Sequence, residues 1–440
     1  MNRKLLQFAA LLACLPAGHS QIMDSRPVRD RAVIHNAIVL KKMDTVLGPA
    51  MKKNDIQMWI VFTREDNVDP VLPLVTPDGA YAGCRNAYIF VYREDARPLR
   101  IVLGCHGGMQ GEGFFDQNIP ALGDEVHVRL HELVEKYQPK HIALDTSTDI
   151  STADGLTATM NDYLVKAFGP EYTSHVVSAQ SLIVDYLNTR IPEEEQYFRE
   201  AALLTRRIWM EAFTREVVHP GVTTVGDVLW FVRQRCTDFG VGYWFRPDLN
   251  VQRPGRPFEA GEVPPDETVL ERGDVISLDF GINYLDFATD YRGNAYILRE
   301  NESDVPDGLK KAMKNSNDFQ QIFLAEFKPG RTGNEVFEST MNKAQAAGLE
   351  PEIYSHSIGN FGHFVGAAIG VPWKGKPGLH ESMALQMGSY TSMEFNVRTH
   401  IPEWNGQYLA FQSEDNVVMT PEGEKFIIPT QKEWVLIRTP

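Results

Sequence analysis

The chain has 440 residues, more than one domain usually contains, so the sequence predicts two or three domains. Hydrophobic residues make up 43% and charged residues 23% of the chain, which is typical of a globular protein and excludes the disordered class. The formal net charge of -15 disfavours binding to nucleic acid or to an anionic membrane surface. No apolar run approaches the roughly 20 residues that a membrane-spanning helix needs.

Residues 1–20 have the pattern of an export signal. Arg3 and Lys4 form a charged start, residues 5–13 are apolar, and small residues precede the predicted cleavage point. We therefore expect an exported protein, periplasmic or secreted, that has lost this segment. A lipoprotein cleavage site at residues 11–14, which would attach the chain to a lipid, and an ordinary buried helix are the alternatives.

Cysteine is rare in the chain. Cys84, Cys105 and Cys236 remain after removal of the signal, which is too few for a disulfide scaffold and forms no zinc-binding pair. An exported compartment permits a bridge between Cys84 and Cys105. The alternative, which the sequence favours equally, is that both residues are small buried free thiols.

Short β-rich segments follow a predicted helical stretch at residues 31–54. The predicted strands cover residues 56–63, 87–92, 99–103 and 142–144. This alternation predicts a small α/β domain over residues 21–188. Pro192, followed by three glutamates, predicts a long helix that runs to about residue 217, because Pro and acidic residues favour a first helical turn. The second domain is therefore predicted to cover residues 189–440.

Two similar segments suggest an internal duplication in the second domain. Pro220-Gly221-Val222-Thr223 and Pro329-Gly330-Arg331-Thr332 each precede a predicted helix. In each segment the Thr is able to cap the helix that follows a Pro-Gly turn. The alternative is that this capping pattern arose twice independently.

Acidic residues interrupt apolar strands in the second domain. In the segment 273–281 an apolar strand presents Asp279 shortly before a glycine, and Asp290 follows eleven residues later. Two adjacent hairpin strands would bring these carboxylates together, and like charges at short range require a cation or a shared proton. Taken alone, Asp279 is typical of an ordinary strand end.

Three further residues extend this pattern along the chain. His363 lies in a glycine-lined apolar segment, and Glu394 and Glu414 each lie in an apolar strand. Individually, each is typical of a core histidine or a strand-end acid. The order Asp279, Asp290, His363, Glu394 and Glu414 is the informative feature.

That order, with these flanking residues, resembles the pita-bread metallopeptidases. The family includes methionine aminopeptidase, aminopeptidase P and prolidase, and creatinase among its non-peptidase relatives. The resemblance covers roughly residues 190–425. It implies an α+β fold in which a smaller creatinase-like α/β domain precedes a pita-bread catalytic domain with two related αβ halves.

The resemblance also implies a centre with two divalent metal ions. Asp279 would hold one ion, Asp290 and Glu414 would bridge both, and His363 with Glu394 would complete the ligand set of the second ion. Oxygen and imidazole ligands suit manganese, with zinc, cobalt and iron as alternatives. A water between the ions would lose a proton near neutral pH and attack an amide carbon. Glu394 and His363 are the catalytic candidates, with Glu394 relaying the proton to the leaving nitrogen.

The chain departs from the family pattern at several positions. No histidine occurs between residues 243 and 279, where family peptidases carry one, and Gly370 replaces another family histidine. The family's Glu-Pro-Gly is replaced by Glu394-Phe395-Asn396, and its Arg before the last ligand by Gln412. These differences indicate a divergent branch.

Other side chains are candidates to replace the missing imidazoles. His356, His380 and His400 lie within the span of the ligands, with a surface or structural role as the alternative for each. Arg398 is a candidate to bind a substrate carboxylate. Trp373 is a candidate wall of the substrate site, with a buried core position as the alternative.

The sequence therefore predicts an exported aminopeptidase that hydrolyses the N-terminal bond of short peptides, with Xaa-Pro bonds favoured by the resemblance. A metal-dependent hydrolase of a small non-peptide amide is the first alternative. A binding protein that has lost catalysis is the second alternative. A homo-oligomer is expected because oligomers are common in the family.

Overall fold

The computed structural model describes residues 24–105, 113–256, 263–363, 365–370 and 375–438. The predicted export signal and Trp373 lie outside the described residues. No helix in the described part of the chain is both long enough and apolar enough to cross a membrane.

The first part of the chain forms a mixed six-stranded sheet in the order β4-β3-β2-β1-β5-β6. Its strands are β1 (Met58–Thr63), β2 (Asn86–Val91), β3 (Leu99–Gly104), β4 (Gln117–Pro120), β5 (Ile142–Leu144) and β6 (Val176–Ser178). Its helices are α1 (Val28–Thr45), α2 (Leu47–Lys53), α3 (Glu125–Tyr137), α4 (Ala158–Phe168) and α5 (Gln180–Asn188).

Helices cover both faces of this sheet. In β1, Met58 and Ile60 pack with α3 and α4, whereas Trp59 and Val61 pack with α1, α2 and α5. Burial on both faces explains why the strand is a continuous apolar run and does not alternate with polar residues. The predicted α/β arrangement is confirmed, and the predicted helix at residues 31–54 is divided at Val46.

A disulfide joins two neighbouring strands of the first sheet. Cys84 precedes β2 and Cys105 follows β3, and their sulfurs are bonded in the structure. The bridge between Cys84 and Cys105 is therefore the alternative that the structure adopts. Cys236 is a buried free thiol, and burial raises its pKa to about 12.

The second part of the chain builds a nine-stranded sheet and a small three-stranded sheet, β11-β10-β7. The large sheet follows the order β14-β13-β15-β16-β12-β9-β8, with β17 beside β16 and β18 beside β12. The strands are β7 (Gly242–Tyr243), β8 (Asp248–Gln252), β9 (Val275–Phe280), β10 (Ile282–Tyr284), β11 (Phe287–Ala288), β12 (Tyr291–Ile297), β13 (Glu350–Ile358), β14 (Ala368–Gly370), β15 (Tyr390–His400), β16 (Tyr408–Thr420), β17 (Gly423–Phe426) and β18 (Val435–Ile437).

Five helices accompany these sheets. They are α6 (Pro192–Ala212), α7 (Val225–Asp238), α8 (Asp307–Glu326), α9 (Gly333–Ala346) and the short α10 (Leu379–Ser382). Helix α6 begins at Pro192 as predicted but ends before residue 217, because the chain turns at Phe213 to bury Phe213 and Val218 in the core. The boundary between residues 188 and 189 falls in the connection between α5 and α6, and it stays a prediction.

The two Pro-Gly segments precede α7 and α9. The N-cap of α9 is Thr332, which confirms that prediction. The N-cap of α7 is Thr224, so the prediction of Thr223 was wrong by one residue. The Thr223 hydroxyl is used inside the preceding turn, where it accepts from the His219 amide and donates to the Val217 carbonyl.

Candidate metal centre

Four neighbouring strands of the large sheet place charged side chains in one row. Asp279 on β9 pairs with Arg292 on β12, Arg292 pairs with Glu414 on β16, and Glu414 pairs with Glu394 on β15. Directly opposite residues in paired strands present their side chains on the same face, a few ångströms apart. The sheet register therefore assembles residues that lie far apart in the sequence.

Three carboxylates form a compact group in this region. Asp279, Asp290 and Glu414 each offer an oxygen such that the three atoms lie within 4.8 Å of one another. Each of these residues also has one buried oxygen for which the described residues provide no hydrogen-bond donor. These oxygens are Oδ1 of Asp279, Oδ1 of Asp290 and Oε2 of Glu414. Buried carboxylate oxygens without donors are costly unless a cation binds them. The donor set fits a divalent metal ion.

Two imidazoles lie beside the carboxylates. His363 and His356 each offer a nitrogen that forms a compact group with Asp290, and the two rings meet edge to face with centroids 4.4 Å apart. Nε2 of His356 lies 3.7 Å from Oδ2 of Asp290 and 4.0 Å from Oε1 of Glu414. The structure thus brings His356, which the sequence offered only as a replacement candidate, into the centre.

Polar side chains hold the carboxylate-bearing strands in place. The Ser392 hydroxyl donates to Oε1 of Glu414 at 2.8 Å. The side chain of Asn416 accepts from the backbone amide of Asp290 and donates to the backbone carbonyl of Asp290. The Ser355 hydroxyl accepts from the backbone amide of Glu394 and donates to the backbone carbonyl of Glu394. These bonds fix the backbone from which the candidate ligands project.

Burial dominates the electrostatics of the centre. Burial and the neighbouring negative charges raise the pKa of Asp290 and of Glu414 well above the usual range. Burial also raises the pKa of Glu394 to about 8, although the nearby Arg292 acts in the opposite direction. Burial and the proximity of His363 lower the pKa of His356 to about 3, so His356 is neutral near pH 7.

Arg292 is a member of the centre that the sequence reasoning missed. Its Nη2 donates to Oδ2 of Asp279 and lies 3.4 Å from Oε1 of Glu394. A signal was available, because Arg292 follows two positions after Asp290, where β12 begins, and alternate residues of an extended chain share a face. The sequence does not show that β12, which carries Arg292, pairs with β9 and β16.

A cavity of about 540 Å³ opens beside Gly362 and Trp244, two neighbours of His363. It is lined by Trp244, Gly362 and residues of both parts of the chain, including Pro70 and Leu74. The Trp244 ring meets the His363 ring edge to face, with centroids 4.6 Å apart. Gly362 permits this approach, because a Cβ at that position would lie 2.4 Å from the Trp244 ring.

The other replacement candidates have partners of a different kind. Nδ1 of His380 lies 2.9 Å from the Gly366 carbonyl, and His400 packs against Tyr408. Arg398 is half-exposed and forms an ion pair with Glu352 at 3.0 Å. These contacts give the three residues structural or surface positions and lend no support to a role in the centre.

Comparison with known proteins gives a family match. Residues 196–421 match the model of metallopeptidase family M24. An uncharacterized peptidase, YqhT, from Bacillus subtilis (strain 168) is 28% identical over 173 residues, which cover 39% of this chain and 44% of the relative. The chain therefore spans less than half of the length of that curated relative.

Solved structures with the same fold cover most of this chain. The X-Pro aminopeptidase from Thermotoga maritima MSB8 has a TM-score of 0.65 at 16% identity, covering 88% of this chain and 100% of its own. The Xaa-Pro dipeptidase from Bacillus anthracis has a TM-score of 0.61 at 18% identity, covering 91% and 100%. The prolidase from Pyrococcus horikoshii OT3 has a TM-score of 0.60 at 17% identity, covering 90% and 99%. The α+β pita-bread fold is confirmed.

Proposed function

We propose that this chain, which belongs to metallopeptidase family M24, is a metal-dependent aminopeptidase that removes the N-terminal residue of short peptides. The observation that carries the proposal is the group of Asp279, Asp290 and Glu414, with three buried oxygens that lack donors among the described residues. Such an arrangement is unfavourable in a protein that only needs to fold, and it suits a divalent cation.

The chain's own residues would divide the work of hydrolysis. Asp279, Asp290 and Glu414 would hold a divalent ion, with the imidazoles of His356 and His363 beside it. When bound, the ion supplies Lewis acidity toward an amide carbonyl. The raised pKa of Glu394, about 8, allows its carboxyl to hold a proton near neutral pH and deliver it to the leaving nitrogen.

The cavity beside Gly362 and Trp244 supports a small substrate. Its volume of about 540 Å³ suits a ligand of a few residues. Pro70 and Leu74, from the first part of the chain, contribute to its lining and would limit how far a peptide extends. Xaa-Pro peptides are the proposed substrate class, by analogy with the structural neighbours whose names contain that specificity.

Metal identity, export and assembly are further parts of the proposal. Manganese is the proposed ion because the ligand atoms are carboxylate oxygens and imidazole nitrogens. Export is supported by the pattern of residues 1–20 and by the Cys84–Cys105 bridge, since disulfides persist in oxidising compartments. A homo-oligomer stays a prediction. The family resemblance implies two metal ions per chain. Arg292 affects this number because it contacts two of the predicted ligands, Asp279 and Glu394.

The test compares metal content and peptide turnover in matched variants. We expect the purified chain with added Mn²⁺ to hydrolyse Xaa-Pro dipeptides and tripeptides. Asp290→Asn should lose both the bound metal and turnover, because it removes a charge from the carboxylate group. Asp415→Asn is the control, since Asp415 is equally buried but bonds to Gln320 instead of joining the metal group.

Two outcomes would contradict the proposal. Absence of bound metal in the unmodified chain after incubation with Mn²⁺ would favour a binding protein that has lost catalysis. Full metal occupancy without turnover of any peptide would favour the hydrolase of a small non-peptide amide. The altered positions around Gly370 and Glu394 make that second outcome a specific alternative.

A further inference from the structure

A guanidinium group lies inside the row of carboxylates. Arg292 is directly opposite Asp279 on one side and directly opposite Glu414 on the other. Glu394 follows Glu414 in the same row, and Asp248 precedes Asp279. Arg292 is therefore the cationic member of a five-residue row that otherwise contains only acids.

Arg292 engages two of the predicted metal ligands. Its Nη2 donates to Oδ2 of Asp279 and lies 3.4 Å from Oε1 of Glu394, and its side chain is only 8% exposed. An arginine remains charged at every pH at which the protein is folded. The side chain thus brings a permanent positive charge to the place between Asp279 and Glu394.

The four acids form two overlapping groups of potential ligands. Asp279, Asp290 and Glu414 form one group, and each has one buried oxygen that lacks a donor among the described residues. In the described part of the chain, Glu394 shares a group with His356 and Glu414 but none with Asp279, Asp290 or His363. The second ion implied by the resemblance would need Glu394 and His363 together, and it would lie next to a fixed positive charge that repels it.

We propose that Arg292 takes the place of a second metal ion, so that the centre binds one divalent ion per chain, between Asp279, Asp290 and Glu414. This inference rests on the proposed metal-dependent function. The argument depends on the contacts that Arg292 makes with Asp279 and Glu394. It does not depend on the net charge of the centre, because Asp248 adds a further carboxyl group next to Asp279. Arg292 is a positioning residue in this arrangement, since it holds Asp279 and Glu394 through side-chain contacts.

The experiment counts Mn²⁺ bound by the full chain. Metal-stripped protein is incubated with excess Mn²⁺ and dialysed, and the metal per chain is measured by plasma mass spectrometry. Electron paramagnetic resonance then separates an isolated Mn²⁺ ion from a spin-coupled pair. The variants are Arg292→Gln, which removes the charge, and Arg292→Lys, which retains it. Arg253→Gln is the control, because it removes another arginine–aspartate pair, with Asp274, at the other end of β8 and β9.

We expect one Mn²⁺ per chain, with the spectrum of an isolated ion, in the unmodified protein, in Arg292→Lys and in Arg253→Gln. Arg292→Gln should bind a second ion, double the metal content and show spin coupling, because Glu394 becomes available together with Glu414 and His356. Circular dichroism establishes that each variant is folded. Should Arg292→Gln fail to fold, the metal content of the unmodified chain and of Arg292→Lys decides the question.

The failures are distinguishable. Two spin-coupled ions per unmodified chain would overturn the inference and leave the proposed function intact. One ion in both the unmodified chain and a folded Arg292→Gln would also overturn it, because the guanidinium would then not be the reason for the missing second ion. Absence of bound Mn²⁺ in every protein would overturn the proposed function itself.

Discussion

At the scale of single residues, Gly293 shows how tightly the centre is supported from behind. It follows Arg292 in β12, and the indole of Trp209, from α6, lies against its backbone. A Cβ at position 293 would lie 1.1 Å from Nε1 of Trp209. The absence of a side chain at this position therefore allows α6 to pack against the strand that carries the candidate ligands.

We expect Gly293→Ala to lower the free energy of unfolding by about 3 kcal/mol, because the added methyl group must displace Trp209 or the strand. Urea denaturation measures this change. Gly242→Ala is the control, since its Cβ would lie 3.5 Å from the Cβ of Asn283, an ordinary contact distance. Equal stabilities of the two variants would show that the approach of Trp209 does not constrain position 293.

The candidate ligands could be predicted from the sequence, and the contacts between them could not. Asp279, Glu394 and Glu414 stand out because each interrupts an apolar strand, a local property of the chain. The positions of His356 and Arg292 depend on which strands pair and in which register. Strand register is fixed by contacts between distant segments, so the sequence left His356 as one of several candidates and omitted Arg292.

At the scale of elements, α7 and α9 begin in the same way. The Thr224 hydroxyl accepts from the Asp227 amide at 3.2 Å, and the Asp227 carboxylate accepts from the Thr224 amide at 2.9 Å. Thr332 and Glu335 form the same pair of bonds at 3.2 and 2.8 Å. The sequence predicted that each helix is capped, but it misplaced the first cap because two threonines are adjacent there.

Removing these caps should have equal and independent effects. We expect Thr224→Ala and Thr332→Ala each to destabilise the fold by about 1 kcal/mol, because each leaves a helix amide without its acceptor. The double variant should lose about 2 kcal/mol, since the two caps share no partner. Urea denaturation of the three variants measures these values, and Thr237→Ala, which removes an exposed threonine from the last turn of α7, is the control. A double variant that loses no more than one single variant would contradict independent capping.

At the scale of the whole molecule, a pair of buried acids beside the first sheet links stability to pH. Asp69 and Asp145 are both fully buried. Asp145 accepts from Nε1 of Trp59 and Asp69 accepts from the Val71 amide, but each has a second buried oxygen without a donor among the described residues. Burial raises the pKa of Asp69 to about 6, and burial together with Asp69 raises the pKa of Asp145 further.

These raised values mean that the folded chain holds a proton that the unfolded chain loses above about pH 4. The stability from the Asp69 proton is fully present below the unfolded pKa and is lost as the pH rises through about 6. We therefore expect Asp145→Asn, which leaves one acid and adds a donor, to be stabilised relative to the unmodified chain at pH 8 more than at pH 5. Urea denaturation at both pH values measures the difference, with the exposed Asp149→Asn as control. An equal effect of Asp145→Asn at pH 5 and pH 8 would mean that the two carboxyl groups ionise independently of folding.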